Sequence, residues 1–394
     1  MLKPFSQSLK GFFKWIFLNP YGCTTNTLKM KIAEITNFIE TVAPLAMQES
    51  YDNAGLIVGD RNAEATGALI CLDVTEEVVD EAIGIGYNLI IAHHPFVFGG
   101  LKKFSGDSAV ERTLIKAIKN DVAVYAAHTN LDNMLLNGVN SKIASKLGLE
   151  DVKILSPMSG SLRKIVVFVP TDKAEAVRDA MFSAGAGCIG NYSRCSYNLQ
   201  GQGSFKAEEG CNPYVGEIGK THFEPETRIE TIAPAHAVGK IVSAMLAAHP
   251  YEEPAFDIYP LDNTFDQAGS GIIGTLPQPE NATDFLQKVK KKFGCGVIRH
   301  TRLPESPIQR VAVCGGAGSF LIGDAMRAGA NILLTADIKY HQFFDARYPF
   351  VLADIGHYES EQFTKELFYE LVTGKFSNFA VRLTEVNTNP IKYV

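Results

Sequence analysis

The chain has 394 residues, 46% of them hydrophobic and 20% charged, with a formal net charge of −6. This balance is that of a globular protein long enough for two or three domains, and its acidity argues against a broad nucleic-acid surface, which needs a basic face to neutralise phosphates. Seven scattered cysteines without a C-x-x-C pair indicate neither a disulfide framework nor a thiolate zinc site and make a reducing cytoplasm the simplest compartment; no apolar run nears the roughly 20 residues of a bilayer span.

Residues 1–29 place Lys3, Lys10 and Lys14 around Phe12-Phe13 and Trp15-Ile16-Phe17-Leu18. Lys14 splits the apolar region and no small-residue cleavage site follows, so a secretory signal is a poor match. A disordered extension is expected there, with a membrane-surface anchor as the alternative. The fold is expected to start at Met30, where Ile32, Ile35, Phe38 and Ile39 begin an amphipathic helix.

Residues 30–162 read as an α/β lobe. Asp52 and Asn53 suit a turn into a strand at 56–58. A strand at 68–72 ends at Asp73, Thr75 can cap the next helix, and Glu76 and Glu77 favour its first turn. The apolar run Asn88-Leu89-Ile90-Ile91 then leads to Ala92-His93-His94-Pro95-Phe96, a buried strand closed by a proline that cannot continue a central ladder. Val110, Leu114, Ile115 and Ile118 space a helix over 108–120, and a strand at 122–126 ends in His128-Thr129-Asn130-Leu131-Asp132. This alternation predicts a mostly parallel, covered sheet, with sites at the carboxyl ends of its strands. Neighbouring strand residues point to opposite faces. The doublet His93-His94 is therefore poorly placed to chelate one ion and well placed to give one nitrogen to each of two; the alternative is a capped strand end with two hydrogen-bonded histidines.

Composition shifts to loop at 156–160, and residues 163–262 read as a separate unit. Strands at 164–169, 191–198, 227–232 and 255–259 and helices at 173–184 and 236–247 follow the β-α-β-β-α-β order of a ferredoxin-like domain. His249-Pro250-Tyr251-Glu252-Glu253-Pro254 reads as a rigid turn rather than a ligand set. Residues 263–394 resume α/β alternation: a strand at 271–274, a helix at 282–293, and a strand at 311–314 entering Gly315-Gly316-Ala317-Gly318-Ser319. That stretch lacks the Lys-Ser/Thr of a phosphate loop and reads as a tight turn. A strand at 332–335 leads to Asp337 and His341. Another at 350–353 ends at Asp354, and His357 and Glu361 follow four apart at a helix start, so both can face one point.

His93, His94, Asp132, His357 and Glu361 together give three imidazoles and two carboxylates at predicted strand ends, a set that suits Zn, Fe or Mn and two ions about 3.5–4 Å apart. Here the sequence resembles a known family. Ala92-His93-His94-Pro95, His128-Thr129-Asn130-Leu131-Asp132, Asp337-Ile338-Lys339-Tyr340-His341, Gly356-His357-Tyr358-Glu359-Ser360-Glu361 and Glu49-Ser50-Tyr51-Asp52-Asn53-Ala54-Gly55-Leu56 occur in the order of the GTP cyclohydrolase 1 type 2 homologs, the Nif-three-like dinuclear metal-centre proteins. The likeness runs from Met30 to Val394. It implies two α/β lobes enclosing a dinuclear site, a toroidal homohexamer and, as in long bacterial members, a PII- or CutA-like insert at 163–262.

It also implies that His93, His94, Asp132, His357 and Glu361 bind two divalent ions. One ion would take one doublet histidine with Asp132 and Glu361, and the other the second histidine with His357. The implied activity is hydrolysis of a nucleotide-type substrate: opening the imidazole ring of guanine and releasing formate suits a hydroxide activated by two ions. His128 would then be a general base or a group orienting the site. Lys102 and Lys103 could meet a triphosphate, and Asp337 and His341 are candidates for the pocket wall. Tyr51 stands where members often have Trp, and Gly99-Gly100 where a basic residue is common, which weakens phosphate binding at that rim; residues 1–29 have no counterpart. Two other functions fit the same residues: metal delivery without turnover, and an oligomeric regulatory scaffold.

Overall fold

The computed structural model describes residues 30–394; the extension expected over residues 1–29 lies outside them. Three sheets organise the chain. The first has five strands in the order Gly55–Val58, Ala123–Ala126, Leu89–Ala92, Ala68–Cys71, Val381–Leu383. Its last four strands run parallel and Gly55–Val58 is antiparallel to its neighbour. The three central strands are buried throughout, which is why they read as unbroken apolar runs: a parallel sheet is covered on both faces. Leu69, Cys71, Ile90, Ala92 and Val124 face helices Glu76–Gly84 and Ala109–Lys119. Ala68, Ile70, Ile91 and Tyr125 alternate to the other face, against helix Ile32–Val42 and Phe368 of Thr364–Lys375. Thr75 and Ser108 cap their helices by accepting from the amides of Val78 and Glu111, as residues with short hydroxyl side chains do.

The second sheet has six strands in the order Arg299–His300, Val351–Asp354, Ile332–Ala336, Ile308–Ala317, Phe265–Glu280, Glu150–Met158. Its three central strands are parallel and flanked by antiparallel ones. Val313, Leu334 and Ala353 belong to the same apolar core as Ile70, Ile91 and Tyr125, so the two sheets are joined through one interior. Residues 156–158, expected to be loop, end the strand Glu150–Met158. Pro157 is tolerated because this strand lies at the sheet edge. The strand expected at 271–274 extends over Phe265–Glu280, and Val381–Leu383, for which no element was expected, returns to the first sheet beside Ala68–Ile70.

The third sheet is antiparallel, in the order Ser196–Lys206, Thr221–Pro234, Leu162–Pro170, Phe256–Leu261. In chain order its elements run strand, helix, strand, strand, helix, strand. Helices Ala174–Ser183 and Val238–Ala248 cover one face and close a core of Ile165, Val167, Val177, Met181, Ile229, Ile241 and Met245. Ser196–Lys206 and Thr221–Pro234 form a longer hairpin than the strands expected at 191–198 and 227–232. Among the described residues no helix is long and apolar enough to cross a membrane.

Candidate metal centre

Four histidines converge where the two sheets meet, and each has one ring nitrogen tied from outside. His93 Nδ1 lies 2.9 Å from the Ala127 carbonyl, His94 Nδ1 2.7 Å from Asp73, His128 Nδ1 2.8 Å from Asp52, and His357 Nδ1 2.6 Å from Asp337. A carbonyl or carboxylate there fixes the N–H on Nδ1 and leaves Nε2 with a free lone pair, the usual preparation of a metal-binding imidazole. His93 and His94 lie just past the end of Leu89–Ala92, so strict alternation no longer separates them, and both rings reach the same carboxylate from different sides. His94 Nε2 is 2.9 Å from Glu361 Oε2, whereas His93 Nε2 is 3.8 Å from Glu361 Oε1 and 3.6 Å from Asp132 Oδ1. His357 Nε2 lies 3.0 Å from Glu361 Oε2 and 3.3 Å from His94 Nε2.

The donors fall into sets able to hold a cation: His93, Asp132 and Glu361; His94, His357 and Glu361; and His93, His94 and His128. The first two share Glu361, one oxygen to each. Two buried atoms, His93 Nε2 and Asp132 Oδ1, have no hydrogen-bond partner among the described residues. Leaving such a group unpaired costs about 1–3 kcal/mol, and a cation between them would satisfy both. The residues therefore fit a metal ion.

Electrostatics point the same way. Burial alone would raise the pKa of Glu361, but the imidazoles of His357, His93 and His94 beside it hold it well below the ordinary carboxylate range. Burial and the neighbouring Glu361 charge push the Asp132 carboxyl up. Burial opposes protonation of His94 and His357, yet their carboxylate partners raise them to about 10 and about 9. The site is a compact donor set that draws positive charge, whether a proton or a metal ion.

The backbone makes room for it. Gly316 has φ +61, and a Cβ there would lie 2.4 Å from Glu361 Oε1. The glycine stretch read as a tight turn is the surface against which the Glu361 carboxylate rests. The Gly315 amide donates to Asn140 Oδ1 and the Gly316 amide to Ser360 Oγ, which pins that surface to helices Val139–Leu147 and His357–Glu361.

The donors open into a cavity of about 1190 Å³ whose walls include Tyr51, Phe98, Phe320 and Tyr358. Asp337 lines it, as expected of a wall residue, and also orients His357. Lys102, Lys103 and His341 do not line it. Both lysines are exposed in the loop beyond the doublet, and His341 is exposed and meets Tyr340 edge to face, ring centres 5.2 Å apart. Sequence reasoning missed Asp52 as the partner of His128 and Thr388, whose hydroxyl donates to the second oxygen of Asp73 at 2.6 Å.

Residues 30–390 match the sequence pattern of the Duf34/NIF3 (NGG1p interacting factor 3) family. The chain is 41% identical over 373 residues to the GTP cyclohydrolase 1 type 2 homolog of Halalkalibacterium halodurans, covering 93% of this chain and 100% of the relative. It is 38% identical over 367 residues to the protein of that name from Bacillus subtilis, covering 92% and 98%. Among solved structures, the Bacillus cereus protein related to NIF3 is similar with a TM-score of 0.81 and 39% identity, over 93% of this chain and 100% of that one. The Staphylococcus aureus protein SA1388 is similar with a TM-score of 0.73 and 29% identity, over 93% and 99%.

Proposed function

The chain belongs to the Duf34/NIF3 family, and from that premise we propose that it is a divalent-metal-dependent hydrolase with a two-ion centre acting on a nucleotide-type substrate. The observation that carries the reading is the set of four imidazoles, each with Nδ1 tied outward, around two carboxylates of which Glu361 serves two donor sets. His93, Asp132 and Glu361 would hold one ion, and His94, His357 and Glu361 the other, with Zn, Fe and Mn matching the mixed donors. Ions held there supply an acidic water at neutral pH and offset charge developing on the attacked centre. The chain's own part is to hold the donors, exclude bulk water with the cavity walls, and move a proton. His128, held by Asp52 and facing His93 and His94 with ring centres 5.3 and 5.4 Å away, is the residue to move it. The names of the relatives support a nucleotide substrate.

The test is a screen of nucleotides, GTP first, for metal-dependent release of formate or phosphate by the metal-loaded protein. His128→Ala should keep the metal and slow turnover about a hundred- to ten-thousand-fold. Loss of metal in that variant would make His128 a ligand instead, and no turnover of any nucleotide by fully loaded protein would remove the hydrolase reading. Metal delivery is the second reading, favoured by the 39% exposure of the His357 side chain, through which an ion could exchange.

The rest of the architecture follows as part of the same proposal. Residues 30–162 and 263–394 would form two lobes around the dinuclear site, and 163–262 a ferredoxin-like, PII- or CutA-like insert, supported by its strand order and its own core. The assembly would be a cytoplasmic homohexamer; light scattering that returns a monomer at micromolar concentration would overturn the hexamer.

A further inference from the structure

The third sheet has a cavity of its own. Along Thr221–Pro234, Thr227, Ile229 and Thr231 are buried toward the helices, so Glu226, Arg228 and Glu230 lie on the opposite face. On that face the long hairpin and the turn after helix Val238–Ala248 enclose a cavity of about 600 Å³, within the range of small-molecule sites. Its walls are rings: Phe205 and Tyr214 flank Tyr251, with centres 5.9 and 6.2 Å from it, and Phe168 lies 5.6 Å beneath the Arg228 guanidinium.

The segment His249-Pro250-Tyr251-Glu252-Glu253, read from sequence as a rigid turn, is what carries Tyr251 into this cavity. His249 Nε2 lies 3.0 Å from the Phe168 carbonyl, and its Nδ1 accepts from the Tyr251 amide at 3.1 Å. The turn is therefore locked, and the Tyr251 hydroxyl donates to Glu226 Oε1 at 3.0 Å. The turn is structural, as its sequence suggests, and it also builds a wall.

Glu226 and Arg228, on one strand in the cavity, have unused bonding capacity. Glu226 spends one oxygen on Tyr251 and has no hydrogen bond to the other among the described residues. Arg228 gives Nη2 to Glu230 at 2.9 Å, but its Nε is buried without a partner among the described residues. A free acceptor and a buried free donor thus stand two residues apart on one face of one strand, beside four aromatic rings. An anion alone would meet the Glu226 charge, with Glu252 and Glu253 also in the wall and its one lysine, Lys206, already paired with Glu208 at 3.2 Å. A cation alone would leave the Arg228 N–H unpaired. A zwitterion satisfies both.

We propose that this cavity binds an α-amino acid with an aromatic or large apolar side chain. Glu226 receives the ammonium, the Nε–H of Arg228 donates to the carboxylate, and Phe205, Tyr214 and Tyr251 hold the side chain. No covalent step is involved. The site is independent of the metal centre, so its fate does not bear on the hydrolase reading.

The test is calorimetric titration of the full chain with L-phenylalanine, alongside phenethylamine, which lacks the carboxylate, and 3-phenylpropionate, which lacks the ammonium. L-Phenylalanine should bind saturably and each analogue at least about tenfold more weakly, because each forfeits a charged hydrogen bond. Glu226→Gln and Arg228→Met should weaken L-phenylalanine by a similar factor with unchanged melting temperature and metal content. Tyr214→Ala, on a loop away from the core, should weaken it as well and serves as the deciding variant if a strand substitution unfolds the unit. Absence of saturable binding of L-phenylalanine, L-tyrosine and L-leucine up to on the order of 10 mM would overturn the proposal. So would phenethylamine binding as tightly as L-phenylalanine, or affinity unchanged in a folded Glu226→Gln or Tyr214→Ala variant.

Discussion

Gly316 is the residue on which the shared carboxylate depends most directly. A methyl group there meets Glu361 Oε1 at 2.4 Å on a backbone already at φ +61, so either the carboxylate or the strand end must move. Gly316→Ala should leave a folded protein, by circular dichroism, that has lost metal from both positions; full metal content would show that Glu361 is not shared. Asp52 makes a second prediction. Its side chain is buried, which would raise its pKa, but hydrogen bonds from His128 and Thr129 outweigh burial and hold it at about 2 against an ordinary 3.8. A depressed carboxyl stabilises the fold fully above its ordinary pKa and loses that contribution as pH falls through the lowered value. Asp52→Asn should therefore destabilise the chelated protein by about 1–3 kcal/mol near neutrality. The gap to wild type should narrow between pH 4 and pH 2, and urea melts at several pH values measure it; a gap that widens on acidification would contradict the assignment. The histidine doublet and the His357–Glu361 pair were legible because an apolar run and a four-residue spacing flag them. Asp52 and Thr388 were not, because their partners lie 76 and 315 residues away in the chain, and no local pattern reports a contact at that range.

At the scale of elements, the buried parallel strands announced themselves as short apolar runs, whereas the hairpin strands were expected shorter than they are and the edge strands Glu150–Met158 and Val381–Leu383 were not expected at all. Ser196–Lys206 is exposed along nearly its whole length, so no period-two pattern fixes its ends and the strand expected at 191–198 lies too early, and Pro157 disguised the end of Glu150–Met158. Val381–Leu383 is three residues long, too short for any periodicity. The missed strand at 150–158 matters for how the third sheet is attached. Ser156 pairs with Ser270 and Met158 with Phe265, so the chain leaves for the third sheet and returns from it between hydrogen-bonded neighbours. Replacing residues 162–261 by a short Gly-Ser linker should close these strands into a hairpin and leave the rest folded with its metal content unchanged. A cooperative melt and metal analysis of the shortened chain check this; a chain that aggregates or loses metal would show that the third sheet is part of the core.

Over the whole molecule, the candidate centre exists only because the two larger sheets share one interior. His93, His94, His128 and Asp132 follow strands of the first sheet, while His357 and Glu361 follow a strand of the second. Neither sheet alone supplies both donor sets that share Glu361. Val381–Leu383 strengthens the junction by returning the chain's end to the first sheet, and Thr388 beyond it reaches Asp73 behind His94. On the proposed function, this junction holds two divalent ions per chain. The measurement that tests it most directly is the metal-to-protein ratio, by plasma mass spectrometry after exhaustive dialysis, of the wild type and the His93→Ala, His94→Ala double variant. The wild type should carry two ions per chain and the folded double variant none; a double variant that keeps its full metal content would show that the doublet does not hold the ions.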